Sequence, residues 1–219
     1  MNLEEIRRRL SSLETSCLCD VDKSLRAMDA AIRPVRRDLK LVGTAFTVSC
    51  RDDFATVIQA LRQAGAGDVL VIDGQGGHKA LAGELFATEA HRKGLAGIVV
   101  DGYVRDVETL RKLEIPVYAR GFFPTSGTTG VVHETQIPIQ CGGVAVHPGE
   151  IVFGDQDGVV VAAAEQFDEL IPAGEAIRRN EESALARMAR GESLIDMLNA
   201  EEHINRLRAG EPSSLKFTI

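Results

Sequence analysis

The sequence has no excess of positive charge, no long apolar run and no paired cysteines at metal-binding spacing. Lys and Arg number 25 against 32 Asp and Glu, a formal net charge of -7. Phosphate binding needs clustered Lys and Arg, so a nucleic-acid face is excluded as the main role. No apolar stretch approaches the ~18 residues a membrane span requires, and no membrane partner is expected. The amino terminus, MNLEEIRRRL, is charged and lacks the apolar segment of a signal peptide, so a cytoplasmic location is expected. The cysteines, at positions 17, 19, 50 and 141, include no Cys-x-x-Cys pair and complete no zinc site. They read as buried or partly buried free thiols of a reducing compartment, with Cys17 or Cys19 open to incidental oxidation. His78, His91, His133 and His147 show no ligand spacing and read as structural or exposed. Repeats, low-complexity segments and linkers are also missing. One α/β domain over residues 1–219, with helical N-terminal and C-terminal extensions, is the simplest organisation.

What is present centres on Val69–Arg120. Three short apolar runs, Val69–Ile72, Gly97–Val100 and Pro116–Ala119, are rich in β-branched residues. Two stretches of helical period, Ala80–Lys93 and Val107–Leu113, lie between them. Strands alternating with helices at this spacing predict βαβ units in a layered sheet with flanking helices. Before this stretch the pattern predicts a helix over 3–13, a break at Thr15–Asp20 and a short helix over Asp22–Ala31. A solvated connection at 34–40, a strand at Val42–Cys50 and a helix at Phe54–Ala64 follow, the last with Val57, Ile58 and Leu61 inward. After Arg120 it predicts a polar loop, Gly121–Gly130, and a strand over Val131–Gln140 interrupted by Pro138. A hairpin joins Val144–His147 to Ile151–Phe153, and a turn at Gly154–Gly158 leads to a strand at Val159–Ala163. Helix is expected from Glu165 to about Leu198, broken at Pro172-Ala-Gly174 and at Gly191. Arg206–Ile219 carries no strong pattern.

Ligands of open α/β sheets sit outside the carboxyl ends of strands. The loops Asp73-Gly-Gln-Gly-Gly-His78 and Asp101-Gly-Tyr-Val-Arg105-Asp106 are therefore the candidate site. The first fits a dinucleotide fingerprint only partly, because its third glycine would fall at Lys79. A glycine-rich loop still admits an anion to backbone N–H groups near a helix start. Glu84 is either a carboxylate favoured by the positive helix end or a site residue. Arg105 and Asp106 are either a local surface pair or a grip for a substrate carboxylate beside a hard oxygen ligand for a divalent cation.

Seven motifs then run in order: Val42-Gly-Thr-Ala45, Asp73-Gly-Gln-Gly-Gly77, Ala82-Gly-Glu84-Leu85, Gly97-Ile-Val-Val-Asp-Gly102, Val104-Arg105-Asp106, Pro116-Val-Tyr-Ala-Arg120 and Gly154-Asp-Gln-Asp-Gly158. This series resembles the family of 4-hydroxy-4-methyl-2-oxoglutarate aldolases, which also holds the regulators of ribonuclease activity A. The resemblance spans about residues 15–195. It implies a swivelling-domain-like, RraA-type α/β fold and a class II pyruvate aldolase using Mg²⁺ or Mn²⁺. It further implies that Arg105 binds the pyruvyl part of the substrate and that Asp106 binds the metal. Glu84 would hold metal-bound water, while Gly83 and the N–H groups of Leu85 and Phe86 contact substrate oxygens. Glu181 of a neighbouring subunit, with Glu182 its rival, would complete the site in a homotrimer or homohexamer. The regulator branch typically lacks a complete Arg-Asp pair, which this sequence keeps.

The chemistry matches the residue types. Carbon–carbon cleavage β to a ketone leaves an enolate, which a cation on the keto oxygen stabilises. No lysine is placed for a Schiff base, Lys79 lying on a polar loop. Loss of CO₂ from oxaloacetate gives the same enolate, so decarboxylation is the expected second activity. A non-catalytic ribonuclease regulator is the alternative, and methyl transfer to a quinone is a third reading without a recognisable adenosylmethionine-binding pattern.

Overall fold

The computed structural model describes residues 3–218. Its elements are, in order, α1 (Leu3–Leu10), α2 (Thr15–Val21), β1 (Arg26–Ala27), β2 (Arg33–Pro34), β3 (Leu41–Ser49), α3 (Ala55–Gln63), β4 (Asp68–Asp73), β5 (Ala80–Ala82), α4 (Glu84–Arg92), β6 (Gly97–Val104), α5 (Val107–Leu110), β7 (Val117–Phe122), β8 (Ile139–Cys141), β9 (Val144–Val146), β10 (Ile151–Gly154), β11 (Val159–Ala162), α6 (Ala164–Met188) and α7 (Ala200–Arg208). Two compact units divide the chain, one ending at Ile171 and the other starting at Pro172.

In the first unit a nine-stranded sheet runs β1-β11-β10-β3-β4-β6-β7-β2, with β5 beside β6. Its centre is parallel, β3 to β4, β4 to β6 and β6 to β7, as the βαβ reading predicts. Both edges are antiparallel. The central strands are apolar on both faces because both faces are covered. Ala45 through Val48 of β3 are all buried. One face packs Leu70, Ile72, Ile98 and Val100 against Val57, Leu61 and Ala87 of α3 and α4. The other packs Val69, Val71 and Val99 under Ile139, Cys141 and Val146 of the β8–β9 hairpin.

Several expected elements differ. Thr15–Asp20 is helical, because the carboxylate of Asp155 caps it from a distant turn: Thr15 N–H donates to Oδ2 at 2.7 Å and Thr15 Oγ1 to Oδ1 at 2.8 Å. Asp22–Ala31 is not a helix. Asp22 and Asp29 each accept a backbone N–H two residues on, and Arg26–Ala27 pairs with β11. Ile58 is 47% exposed, and Ala60 takes its place on the inner stripe of α3. Val131–Pro138 forms no strand, and Val131 and Val132 are exposed. The expected hairpin has other partners. β9 pairs with β8 across Gly142 and Gly143, whose φ of 60° and 76° suit a two-residue turn, while β10 pairs with β11 and β3.

In α6, buried Phe167, Leu170 and Ile171 hold the helix up to Pro172, which lies inside it instead of ending it. Gly191 follows the helix end at φ 91°. The second unit continues with α7, which covers the start of the stretch read as patternless. A strand contact joins Leu198 to Phe217. Ile219 lies outside the described residues.

All four cysteines are free, with Cys19 half-buried and the others buried. Burial pushes the Cys50 thiol up to about 12. Among the described residues, no helix is long and apolar enough to cross a membrane.

Candidate active site

The site hangs from β5 and the last residues of β6. Ala80–Ala82, expected to be helical, is a strand because β6 runs on past Val100 and offers it an edge: Ala80 pairs with Tyr103 and Ala82 with Val104. β6 carries a bulge between Val100 and Tyr103, where two residues, Asp101 and Gly102, oppose one of β7, Arg120. Asp101 sits in the bulge and is held by Arg120 Nε and by the N–H of Gly142 at 2.6 Å. Arg120 also reaches Asp29 at 3.0 Å, so these charges brace the strand end.

Past the bulge, Arg105 leaves β6 with its N–H on the carbonyl of Ala82 at 3.1 Å. Asp106 follows in the left-handed region, φ 59° and ψ 42°, and starts α5. Aspartate tolerates that region better than most residues. Its Oδ2 accepts the N–H of Glu84 at 3.2 Å and lies 3.5 Å from Arg105 Nε. The carboxylate thus occupies the first-turn N–H of α4, where the helix dipole favours negative charge. The next two N–H groups, of Leu85 and Phe86, have no acceptor within the helix, because the first internal bond runs from Ala87 to Gly83 at 3.1 Å. Gly83 is extended, a conformation open to any residue, but its side-chain position is filled: an added methyl would overlap Asp106 Oδ2 and stand 3.0 Å from Arg105 Cγ.

Gly83, Leu85, Phe86, Arg105 and Asp106 line one cleft of about 130 Å³. Phe54, Ala80, Leu81, Ala82 and Ser126 complete its wall. The rings of Phe54 and Phe86 meet edge to face, 5.5 Å apart at 71°. Five of the expected residues therefore converge. Glu84 is half-buried at the start of α4 and touches Asp106 through its N–H, while its side chain is not part of the cleft lining. Glu181 and Glu182 are exposed on α6 in the second unit, where Glu182 pairs with Arg178 at 2.8 Å.

The glycine-rich loop is not the anion cradle its composition suggests. Its N–H groups are used internally, His78 and Lys79 donating to Asp52 Oδ1 at 2.7 and 2.8 Å and Gln75 to Asp73 at 2.8 Å. It also leads into β5, not a helix. Asp52 and its neighbour Asp53 are the residues that sequence reasoning missed. The signal was an acidic pair just before a helix start, a cap position. Buried Asp53 ties α3 to the 121–130 loop, accepting from Ala55 N–H, Thr128 Oγ1 and the N–H groups of Gly130 and Val131. These bonds, that of Ala55 first, hold its carboxyl at about 2, below the ordinary 3.8.

A depressed carboxylate stabilises the fold above its unfolded value and loses that contribution as pH falls through its folded value. The melting-temperature gap between the native chain and Asp53→Asn is therefore expected to be widest above pH 3.8 and to close towards pH 2. A gap independent of pH would show that the fold does not lower the Asp53 carboxyl below its unfolded value.

Among the described residues, no group of three or more His, Cys, Asp or Glu side chains is gathered to enclose a metal ion. The cleft's donor is one exposed carboxylate, Asp106. That set suits a hard cation such as Mg²⁺ or Mn²⁺, which keeps most of its waters and takes one or two carboxylates, and does not suit zinc.

Residues 15–161 match the RraA-like family, described as Aldolase/RraA. The chain belongs to this family. A relative from Halalkalibacterium halodurans, named putative 4-hydroxy-4-methyl-2-oxoglutarate aldolase, is 33% identical over 162 residues, 73% of this chain and 77% of that protein. The solved RNA-processing inhibitor RraA from Thermus thermophilis superposes with a TM-score of 0.63 at 33% identity, covering 68% of this chain and 91% of its own. Streptomyces coelicolor RraAS2, described as an unusual member of the RNase ES inhibitor RraA family, gives 0.72 at 26% identity over 84% of this chain and 98% of its own. The RraA-like fold and family expected from the seven motifs thus hold. The family contains aldolases and ribonuclease inhibitors alike.

Proposed function

We propose that this RraA-like protein is a divalent-metal-dependent aldolase cleaving 4-hydroxy-4-methyl-2-oxoglutarate or a related 4-hydroxy-2-oxo acid to pyruvate, with oxaloacetate decarboxylation as a side activity. The observation that carries the reading is the convergence on one small cleft of Arg105, Asp106 and the N–H groups of Leu85 and Phe86, which have no backbone acceptor among the described residues. Arg105 takes the C1 carboxylate through its planar fork of donors. Leu85 and Phe86 N–H groups receive substrate oxygens at the positive end of α4. A divalent cation, held by Asp106 and reached through water by Glu84 and by Glu181 of a neighbouring copy, would supply positive charge near the keto oxygen. Glu84 receives, by way of water, the proton of the C4 hydroxyl. The proposed organisation is one RraA-like domain with helical extensions, assembled as a homotrimer or homohexamer in the cytoplasm.

Pyruvate release, followed with lactate dehydrogenase over a panel of hydroxy-oxo acids, tests this. Activity with Mg²⁺ or Mn²⁺ is expected to vanish in excess chelator and return on adding the metal back. Full turnover in chelator would overturn the metal requirement. The Thermus relative, an RNA-processing inhibitor, favours a second reading as a ribonuclease regulator. Inhibition of a ribonuclease by an Asp106→Ala variant, without pyruvate release from the native chain, would establish that instead.

A further inference from the structure

We infer that Asp52 is a positioning residue for the proposed cleavage: from outside the cleft it ties together the two loops that set Phe54, Ala80 and Ser126 in its lining. The inference rests on the aldolase reading above. Asp52 is half-buried and takes no part in the lining itself. Its Oδ1 accepts the N–H groups of His78 and Lys79, which fixes the segment entering β5 one residue before Ala80. Its carbonyl accepts the N–H of Thr128 at 2.9 Å, two residues after Ser126. Thr128 in turn offers its own carbonyl to the N–H of Phe54, also at 2.9 Å. The two loops bond each other as well, Ala80 N–H donating to the carbonyl of Thr125 at 2.9 Å and Gly127 N–H to that of Ala80 at 3.1 Å.

The local geometry is specific to this residue. Asp52 stands at φ 52°, in the left-handed region that residues other than glycine keep only where their surroundings hold them there. Both loops approach it through a glycine. An added methyl would stand 2.6 Å from Asp52 Oδ1 at Gly77 and 2.5 Å from its carbonyl oxygen at Gly127. Asp53 continues the tie, accepting Thr128 Oγ1 at 2.7 Å and Gly130 N–H at 2.6 Å. The charged end of the cleft is anchored separately. Arg105 N–H stays on the carbonyl of Ala82, Asp106 on the N–H of Glu84, and β5 on β6. Loosening the Asp52 ties therefore removes contacts that ground state and transition state share, which raises KM and leaves kcat near native. A merely structural role gives the reverse, a smaller active fraction with lower kcat at unchanged KM.

The test compares Asp52→Gly with Asp52→Asn in the full chain with Mg²⁺. Glycine keeps the left-handed backbone and removes the carboxylate, whereas asparagine tolerates the same backbone and keeps an amide oxygen for the two N–H groups. Asp52→Gly is expected to raise KM for 4-hydroxy-4-methyl-2-oxoglutarate by about tenfold with kcat within about twofold, and to weaken 2-oxoglutarate binding by a similar factor in calorimetry. Asp52→Asn is expected to restore most of both. Gly77→Ala, which presses on the same carboxylate from the glycine-rich loop, is the second variant and is expected to move KM in the same direction should Asp52→Gly not fold. Native KM in the folded variants, with or without a lower kcat, overturns the positioning role and leaves the aldolase standing. Weaker 2-oxoglutarate binding by Asp52→Gly, with no turnover of any hydroxy-oxo acid by the native chain, overturns the aldolase and leaves the hold of Asp52 on the lining standing. Neither binding nor turnover by the native chain overturns both.

Discussion

Arg105→Ala is expected to lower kcat/KM for pyruvate release by about a hundredfold or more while leaving the melting temperature within a few degrees of the native value. The loss follows from geometry. Among the described residues Arg105 is the one cation lining its cleft, and a carboxylate entering without it meets Asp106 unscreened. The small effect on stability follows from exposure. Its side chain is 42% exposed, and its 3.5 Å pairing with Asp106 is a surface contact, which typically contributes little to folding. Arg105→Lys keeps the charge but loses the two-pronged geometry, so activity between the native and alanine levels is expected. Native turnover by Arg105→Ala would remove the proposed substrate grip. Asp106→Asn is the companion variant, because asparagine also tolerates the left-handed backbone and so isolates the charge.

Gly83→Ala should be almost as damaging, for a different reason. The added methyl enters the space held by the Asp106 carboxylate and presses on Arg105 Cγ, so one carbon atom displaces both charged groups. Misplacement of about 1 Å is enough for a loss near a hundredfold in rate. The backbone there is extended, so no conformational penalty arises, and circular dichroism should report a fold that melts close to the native temperature. Unchanged kcat/KM in this variant would mean that the Asp106 carboxylate has no fixed position to defend.

The sequence revealed the parallel centre of the sheet because its strands are buried on both faces and read as uninterrupted apolar runs. It also placed Glu84 near Arg105-Asp106, since both loops follow neighbouring strands, while Gly83, Leu85 and Phe86 entered through the family resemblance. What it hid depends on distant partners. Ala80–Ala82 has a helical composition and becomes a strand only because a bulge carries β6 beyond Val100. The start of α2 has no capping side chain of its own, the cap coming from Asp155. The glycines after β4 suggested an anion site, yet Asp52, from a different loop, already holds the N–H groups. Phe54 and Ser126 escaped notice as cleft residues because their apolar and hydroxyl side chains carry no chemistry legible outside their setting.

The Asp155 cap has an architectural consequence. The family match begins at Thr15 and ends at Val161, and these ends are spatial neighbours: Thr15 is bonded to Asp155, and Val161 faces Arg26 across the β1–β11 pair. Within the first unit, the residues just before Thr15 and just after Val161 join one shared core. The two additions meet there, Ile6 and Leu10 sharing a core with Phe167, Leu170 and Ile171. That graft covers the β10–β11 end of the sheet, with β3 and β4 between it and the strand that carries Arg105 and Asp106.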